Sequence, residues 1–152
     1  MAGKRPASRC VFCDIVAGTE KAAVVFRDQT ALAFLDQRPL FHGHCLLVPL
    51  RHYETLTDLP AKLIEPVFAD VQLMARAVEE AMQAEGTLVV LNNRVSQSVP
   101  HLHMHIVPRR RKDGLRGFFW PRQPYANDAA REAVRQAIEQ TVARIRSHSH
   151  KA

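Results

Sequence analysis

Disulfides, membrane spans and repeats are all missing from this chain of 152 residues. Three cysteines are too few for a disulfide framework at this length. No apolar run approaches the roughly 18–20 residues that cross a bilayer, and the basic stretch 1–9 is not followed by the apolar core of a secretory signal. There is no internal repeat and no low-complexity linker. Together these absences predict a cytoplasmic protein with no membrane partner.

What remains is ordinary in bulk. A chain that is 47% hydrophobic and 24% charged has enough apolar material for one domain with a real core. The formal charge of +6 favours phosphate-bearing partners. Part of that excess lies in the termini and in the run Arg109-Arg110-Arg111-Lys112, where it can equally be solvated charge, so charge alone does not choose between these readings.

The apolar pattern predicts an α+β fold: a mostly antiparallel sheet of about five strands, one long helix and a C-terminal helix, with the helices on one side of the sheet. Residues 1–9 read as a flexible basic arm, 10–109 as the core, and 110–152 as an extension of the same domain. Strands are expected over 23–27, 30–35, 44–49, 87–91 and 101–109. Cys10 to Val16 reads as a short knuckle. The long helix is expected from Asp58, as N-cap, to about Ala84, stopped by Gly86. Its stripe is Leu63, Val67, Val71, Met74, Val78 and Met82, and Pro66 is its awkward residue. Asn127 is expected to cap a last helix with the stripe Val134, Ile138, Val142 and Ile145.

The chemistry concentrates in His101-Leu102-His103-Met104-His105-Ile106. On a strand, alternate side chains share a face, so three imidazoles point one way while the aliphatics pack inward. Same-face neighbours lie roughly 6.5–7 Å apart, from the ~3.3 Å rise per residue. Three in line would need a marked bend to converge on one metal ion, which favours a division of labour. Cys10 and Cys13 form a C-x-x-C, half of a tetrahedral zinc site, with His42, His44, His52 and His101 as candidates for the other half. Asn92, Asn93, Ser96, Gln97 and Ser98, just before the histidines, with Arg109 after them, suit an anionic phosphate.

The row 101–107 resembles the His-φ-His-φ-His-φ-φ signature (φ apolar) of the histidine triad family of nucleotide hydrolases and transferases. The likeness extends over Cys10-Val11-Phe12-Cys13-Asp14-Ile15, Leu32-Ala33-Phe34-Leu35-Asp36, the segment 43–52 and Gln97-Ser98-Val99. It implies a homodimer and a covalent nucleotidyl-histidine: His103 attacks the α-phosphorus of a phosphoramidate or dinucleoside polyphosphate. It implies phosphate contacts from His105, Gln97 and Ser98, ribose contact from Asp36, and His44 at the base of the site. Asn92 is the preferred counterpart of the family's phosphate-facing asparagine. Zinc would be structural, held by Cys10, Cys13, His52 and His101. One departure stands out: the loop Asn92-Asn93-Arg94-Val95-Ser96-Gln97 is short and has no glycine, where the family pattern is N-x-G-x-x-x-G-Q. Two other functions stay open on these residues. One is a nucleotide-binding or regulatory module with little catalysis. The other is removal of adenylate from nucleic-acid ends, although no appended nucleic-acid-binding domain supports such a partner.

Overall fold

In the computed structural model, residues 9–115 and 123–149 are described; residues 1–8 of the expected arm 1–9, residues 116–122 and residues 150–152 lie outside them. The chain divides into two compact units at Asp113/Gly114. In the first, five strands form an antiparallel sheet: β1 (Val24–Arg27), β2 (Ala31–Leu35), β3 (Cys45–Pro49), β4 (Gly86–Val90) and β5 (Met104–Arg109), in the order β1-β2-β3-β5-β4. The helices of this unit are α1 (Val11–Ala17) and α2 (Ala61–Ala81). The second unit holds α3 (Asp128–Ser149), whose Ala130 N–H donates to Asn127 Oδ1, the cap read from the sequence. Among the described residues no helix is long and apolar enough to cross a membrane.

The sheet has two apolar faces, and the strand alternation decides which residue goes to which. On one face Ala31, Ala33, Cys45, Leu47, Met104 and Ile106 pack against Val67, Val71, Met74 and Val78 of α2, the stripe expected from its spacing. On the other face Leu32, Phe34, Leu46 and Val48 pack against Phe12 and Ile15 of α1. The helices are therefore not on one side of the sheet. The Cys10–Val16 knuckle is a helix, started by Cys10, whose Sγ accepts the Cys13 N–H at 3.5 Å, and stopped by Gly18 at φ 78°. A helix of seven residues needs packing to persist, and the second face supplies it.

Three boundaries differ from the sequence expectation. Asp58 does not cap α2. It closes the short 3-10 turn 56–58, taking the Thr55 N–H and hydroxyl at 2.9 and 2.6 Å, and Pro60 stands at the head of α2. Gly86 does not stop α2. The helix ends at Ala81, Gln83 follows at φ 50°, and Gly86 opens β4. β5 begins at Met104, not His101. Its partner β3 ends at Pro49, which has no N–H to extend the ladder.

Candidate active site and metal centre

His101, Leu102 and His103 form the approach to β5. Leu102 is fully buried and its N–H donates to the Tyr53 carbonyl at 2.6 Å. That bond continues the alternation of β5, so Leu102, Met104 and Ile106 go to the α2 core, while His103 and His105 sit with Phe12 on the α1 face. The Phe12 ring lies edge-on to both His101 and His103, with centroids 6.0 and 5.2 Å apart.

A backbone partner assigns the proton on His101, His103 and His44, and the His44 ring assigns it on His105. The His101 ring meets the Pro49 carbonyl through Nε2 at 3.0 Å. A carbonyl only accepts, so the proton is on Nε2 and Nδ1 keeps its lone pair. His103 Nδ1 stands 2.7 Å from the His101 carbonyl, so there Nδ1 carries the proton and Nε2 is the free base. His44 Nδ1 accepts the Leu40 N–H at 3.1 Å, which leaves the proton on Nε2, and Nε2 donates to His105 Nδ1 at 3.0 Å. His105 then carries its own proton on Nε2. Burial pushes the His44 pKa down against the pull of Asp36, and burial, with His103 and His44 adding to it, takes His105 to about 4. Both rings are neutral at pH 7.

A loop closed by the Asp36 N–H on the His44 carbonyl (2.9 Å) presents these groups. Gly43, at φ 93°, turns the chain into β3, and a Cβ there would meet Met82 Cγ at 2.5 Å. Asp36 Oδ1 accepts the Arg38 N–H at 2.8 Å, and Oδ2 lies 3.6 Å from His44 Nε2.

These elements enclose a cleft of about 260 Å³. Phe12, Ile15, Phe34 and Leu46 form its apolar wall, Asp36 and Arg38 lie along it, and Ser98, His103 and His105 supply polar groups. Of the residues expected to bind substrate, His44, Gln97 and Asn92 are not among its lining. Gln97 spends its side chain on the backbone, accepting the Arg94 N–H (2.7 Å) and donating to the Glu54 carbonyl (2.6 Å). Asn92 Nδ2 donates to the Ser96 carbonyl at 3.3 Å. In the glycine-free loop, Arg94 and Ser96 take the left-handed region, at φ 68° and 59°. Sequence reading missed the apolar wall, whose residues read only as parts of a knuckle and of two strands, and the Leu40 N–H, since a backbone donor leaves no mark in sequence.

Beside the cleft, Cys10, Cys13, His52 and His101 bring four ligand atoms within 4.8 Å of one another. His101 Nδ1 is 3.4 Å from Cys10 Sγ and 3.6 Å from Cys13 Sγ, and His52 Nδ1 is 3.3 Å from Cys13 Sγ. Tetrahedral zinc with ordinary Zn–S and Zn–N bonds would hold S and N about 3.5 Å apart. The donor set fits zinc, and the Pro49 carbonyl on His101 Nε2 is the outer partner such a ligand uses. In the free thiol form, burial and then the neighbouring Cys10 raise Cys13 to about 11. Asp36, His44 and His105 also converge within 4.8 Å. A metal there would need the Nε2 lone pair of His44, whose Nδ1 is already an acceptor. In that cluster the two rings are hydrogen-bonded to each other, and Asp36 Oδ2 stands 3.6 Å from His44 Nε2.

The chain is similar to known proteins in both sequence and structure. The HIT domain model matches residues 17–112. The chain is 34% identical over 108 residues to "Adenylylsulfatase HINT3" of Arabidopsis thaliana, covering 70% of this chain and 55% of that protein, so it spans about half that relative's length. It is 32% identical over 117 residues to "Adenosine 5'-monophosphoramidase hnt1" of Schizosaccharomyces pombe, covering 76% and 85%. Among solved structures, a HIT family member from Bacillus subtilis superposes with a TM-score of 0.79 at 32% identity, covering 88% of this chain and 96% of that one. A Zn-bound histidine triad family protein from Mycobacterium smegmatis gives 0.65 at 34% identity, with the same coverage.

Proposed function

Because the chain belongs to the HIT domain family, we propose that it is a nucleotide hydrolase or nucleotidyl transferase working through a covalent intermediate on His103. One observation carries the reading: the His101 carbonyl holds the proton on His103 Nδ1 and leaves the Nε2 lone pair free in a cleft with an apolar wall for a base and a carboxylate, Asp36, for a ribose. The two curated relatives, named for adenylylsulfate and adenosine phosphoramidate chemistry, support an adenylyl substrate.

The Nε2 lone pair attacks the α-phosphorus, and the bond to the leaving group breaks with its electron pair. A leaving amine takes up a proton; a leaving phosphate or sulfate departs as an anion and needs none. The new imidazolium keeps its Nδ1–H on the His101 carbonyl, which stabilises the positive charge. The His105 Nε2–H and the Ser98 hydroxyl donate to the phosphoryl oxygens. Water then displaces His103, losing a proton, and releases the nucleoside monophosphate; another acceptor in its place would carry the nucleotidyl group away.

Zinc on Cys10, Cys13, His52 and His101 would be structural, because four protein ligands leave no open position. It would tie α1 to the segment that carries the nucleophile. The three cysteines, none of them in a disulfide, accord with a cytoplasmic setting. A homodimer accords with the edge strand β4, where Val89 is 41% exposed, and with Phe68 of α2 at 38%.

His103→Gly should abolish turnover of adenosine phosphoramidate and adenylyl sulfate, and only the wild type should trap radiolabelled nucleotide. Undiminished turnover by the variant would sink the proposal. The commitment of Gln97 to the backbone favours a second reading, a nucleotide-binding module. Calorimetric affinity for AMP with no turnover of either substrate would select it.

A further inference from the structure

Arg38 has a position that the reading so far does not use. Its backbone N–H is held on Asp36 Oδ1 at 2.8 Å, which fixes the residue two places from the carboxylate assigned to the ribose. Its side chain is exposed and lines the nucleotide cleft. Among the described residues the guanidinium has no ion-pair or hydrogen-bond partner, whereas Arg9 pairs with Asp14, Arg27 donates to the Val16 carbonyl and Arg109 grips Asp113. The guanidinium does not pair with Asp36, whose Oδ1 accepts the Arg38 N–H and whose Oδ2, 3.6 Å from His44 Nε2, stays open to a ribose hydroxyl.

The charges along the cleft make this free cation informative. The α-phosphate has its own partners in Ser98 and the histidines. The base meets an apolar wall. Along the Asp36 edge, the carboxylate alone would repel any further phosphate. A free guanidinium beside it reverses that preference, and its planar fork matches the oxygens of a phosphate monoester. Nucleotide sites elsewhere make the same distinction, with an acidic residue on a ribose hydroxyl and an arginine on a ribose phosphate.

Resting on the nucleotide reading above, we propose that Arg38 is a specificity residue that reads a second phosphate on the ribose. The preferred ligands are then 5′-phosphoryl nucleosides that also carry a 2′- or 3′-phosphate, with the adjacent free hydroxyl on Asp36.

The test is calorimetry on the full chain loaded with zinc, at fixed ionic strength. The probes are adenosine 5′-monophosphate, adenosine 3′,5′-bisphosphate and adenosine 2′,5′-bisphosphate. The wild type should bind one of the bisphosphates about tenfold or more tighter than the monophosphate, the worth of one charge-assisted hydrogen-bonded pair. Arg38→Ala should erase that preference and change the monophosphate affinity little, and Arg38→Lys should keep part of it. Whichever bisphosphate is favoured names the hydroxyl. Equal affinities in the wild type, or an equal loss for all three ligands in Arg38→Ala, would overturn the proposal while leaving the nucleotide reading intact. Failure of all three to bind would overturn both.

Discussion

His44 Nε2 stands 3.0 Å from His105 Nδ1 and donates to it, because the Leu40 N–H already occupies the other nitrogen of His44. A backbone amide thus decides, through one ring, which nitrogen of a second ring carries the proton that faces the cleft. His44 is therefore better described as a positioning residue than as one that lines the base of the site.

Replacing His44 by Phe keeps a ring in the pocket and removes the donor. His105 then loses its tautomer preference, and kcat should fall about tenfold, the worth of one hydrogen bond, with a smaller change in KM. Nitrogen NMR of His105 should show the Nε2–H form in the wild type and a mixture in the variant. An unchanged spectrum would separate the two rings.

The zinc assignment predicts one equivalent of metal per chain by elemental analysis. Chelation, or Cys13→Ser, should lower Tm by roughly 10 °C, taking free zinc about a thousandfold above its Kd in the loaded state. Metal-free wild type with an unaltered Tm would remove zinc from the fold.

Asp70 is the charged residue among the buried residues of α2. It is 8% exposed, its Oδ2 has no partner among the described residues, and its carboxyl reaches Asp28, whose Oδ1 is held by the Thr30 and Ala31 N–H groups. Burial first, then Asp28, raises its pKa above the usual 3.8. The folded state therefore holds a proton that the unfolded chain releases. The stability tied to that proton is complete below the unfolded value and is lost as pH rises through the folded one. Asp70→Asn supplies a permanent N–H donor and should stabilise the protein by about 1 kcal/mol at pH 8, with a smaller gain at pH 5. Equal effects at both pH values in denaturant titrations would contradict a shared proton.

In the phosphate-side loop, Ser96 sits at φ 59°. Ser96→Val should destabilise by about 1–2 kcal/mol, since a β-branched residue resists the left-handed region, while Ser96→Gly should cost nothing. Urea midpoints of the two variants would rank them, and the reverse order would show that the loop changes conformation in solution.

Much of the fold was legible in the chain because periodicity reports burial directly. The alternation through 101–106 assigned Leu102, Met104 and Ile106 to one core and the imidazoles away from it. The spacing from Leu63 to Met82 marked the inward side of α2. C-x-x-C together with a surplus of histidines narrowed the metal ligands to a few candidates.

What the chain alone left open depends on partners far away in sequence. That α1 covers the second face of the sheet follows from Phe12 and Ile15 meeting Phe34 and Leu46. That β5 starts at Met104 follows from a proline in β3. Gln97 turns to the Glu54 carbonyl, 43 residues away, which no local pattern announces. The tautomers of His101 and His105 come from Pro49 and His44, separated from them by 52 and 61 residues. The amino-acid types determined that imidazole chemistry was present. Tertiary contacts decided which nitrogen is base, which is donor and which faces the metal, because a ring proton follows the hydrogen-bond partner that the fold brings to it.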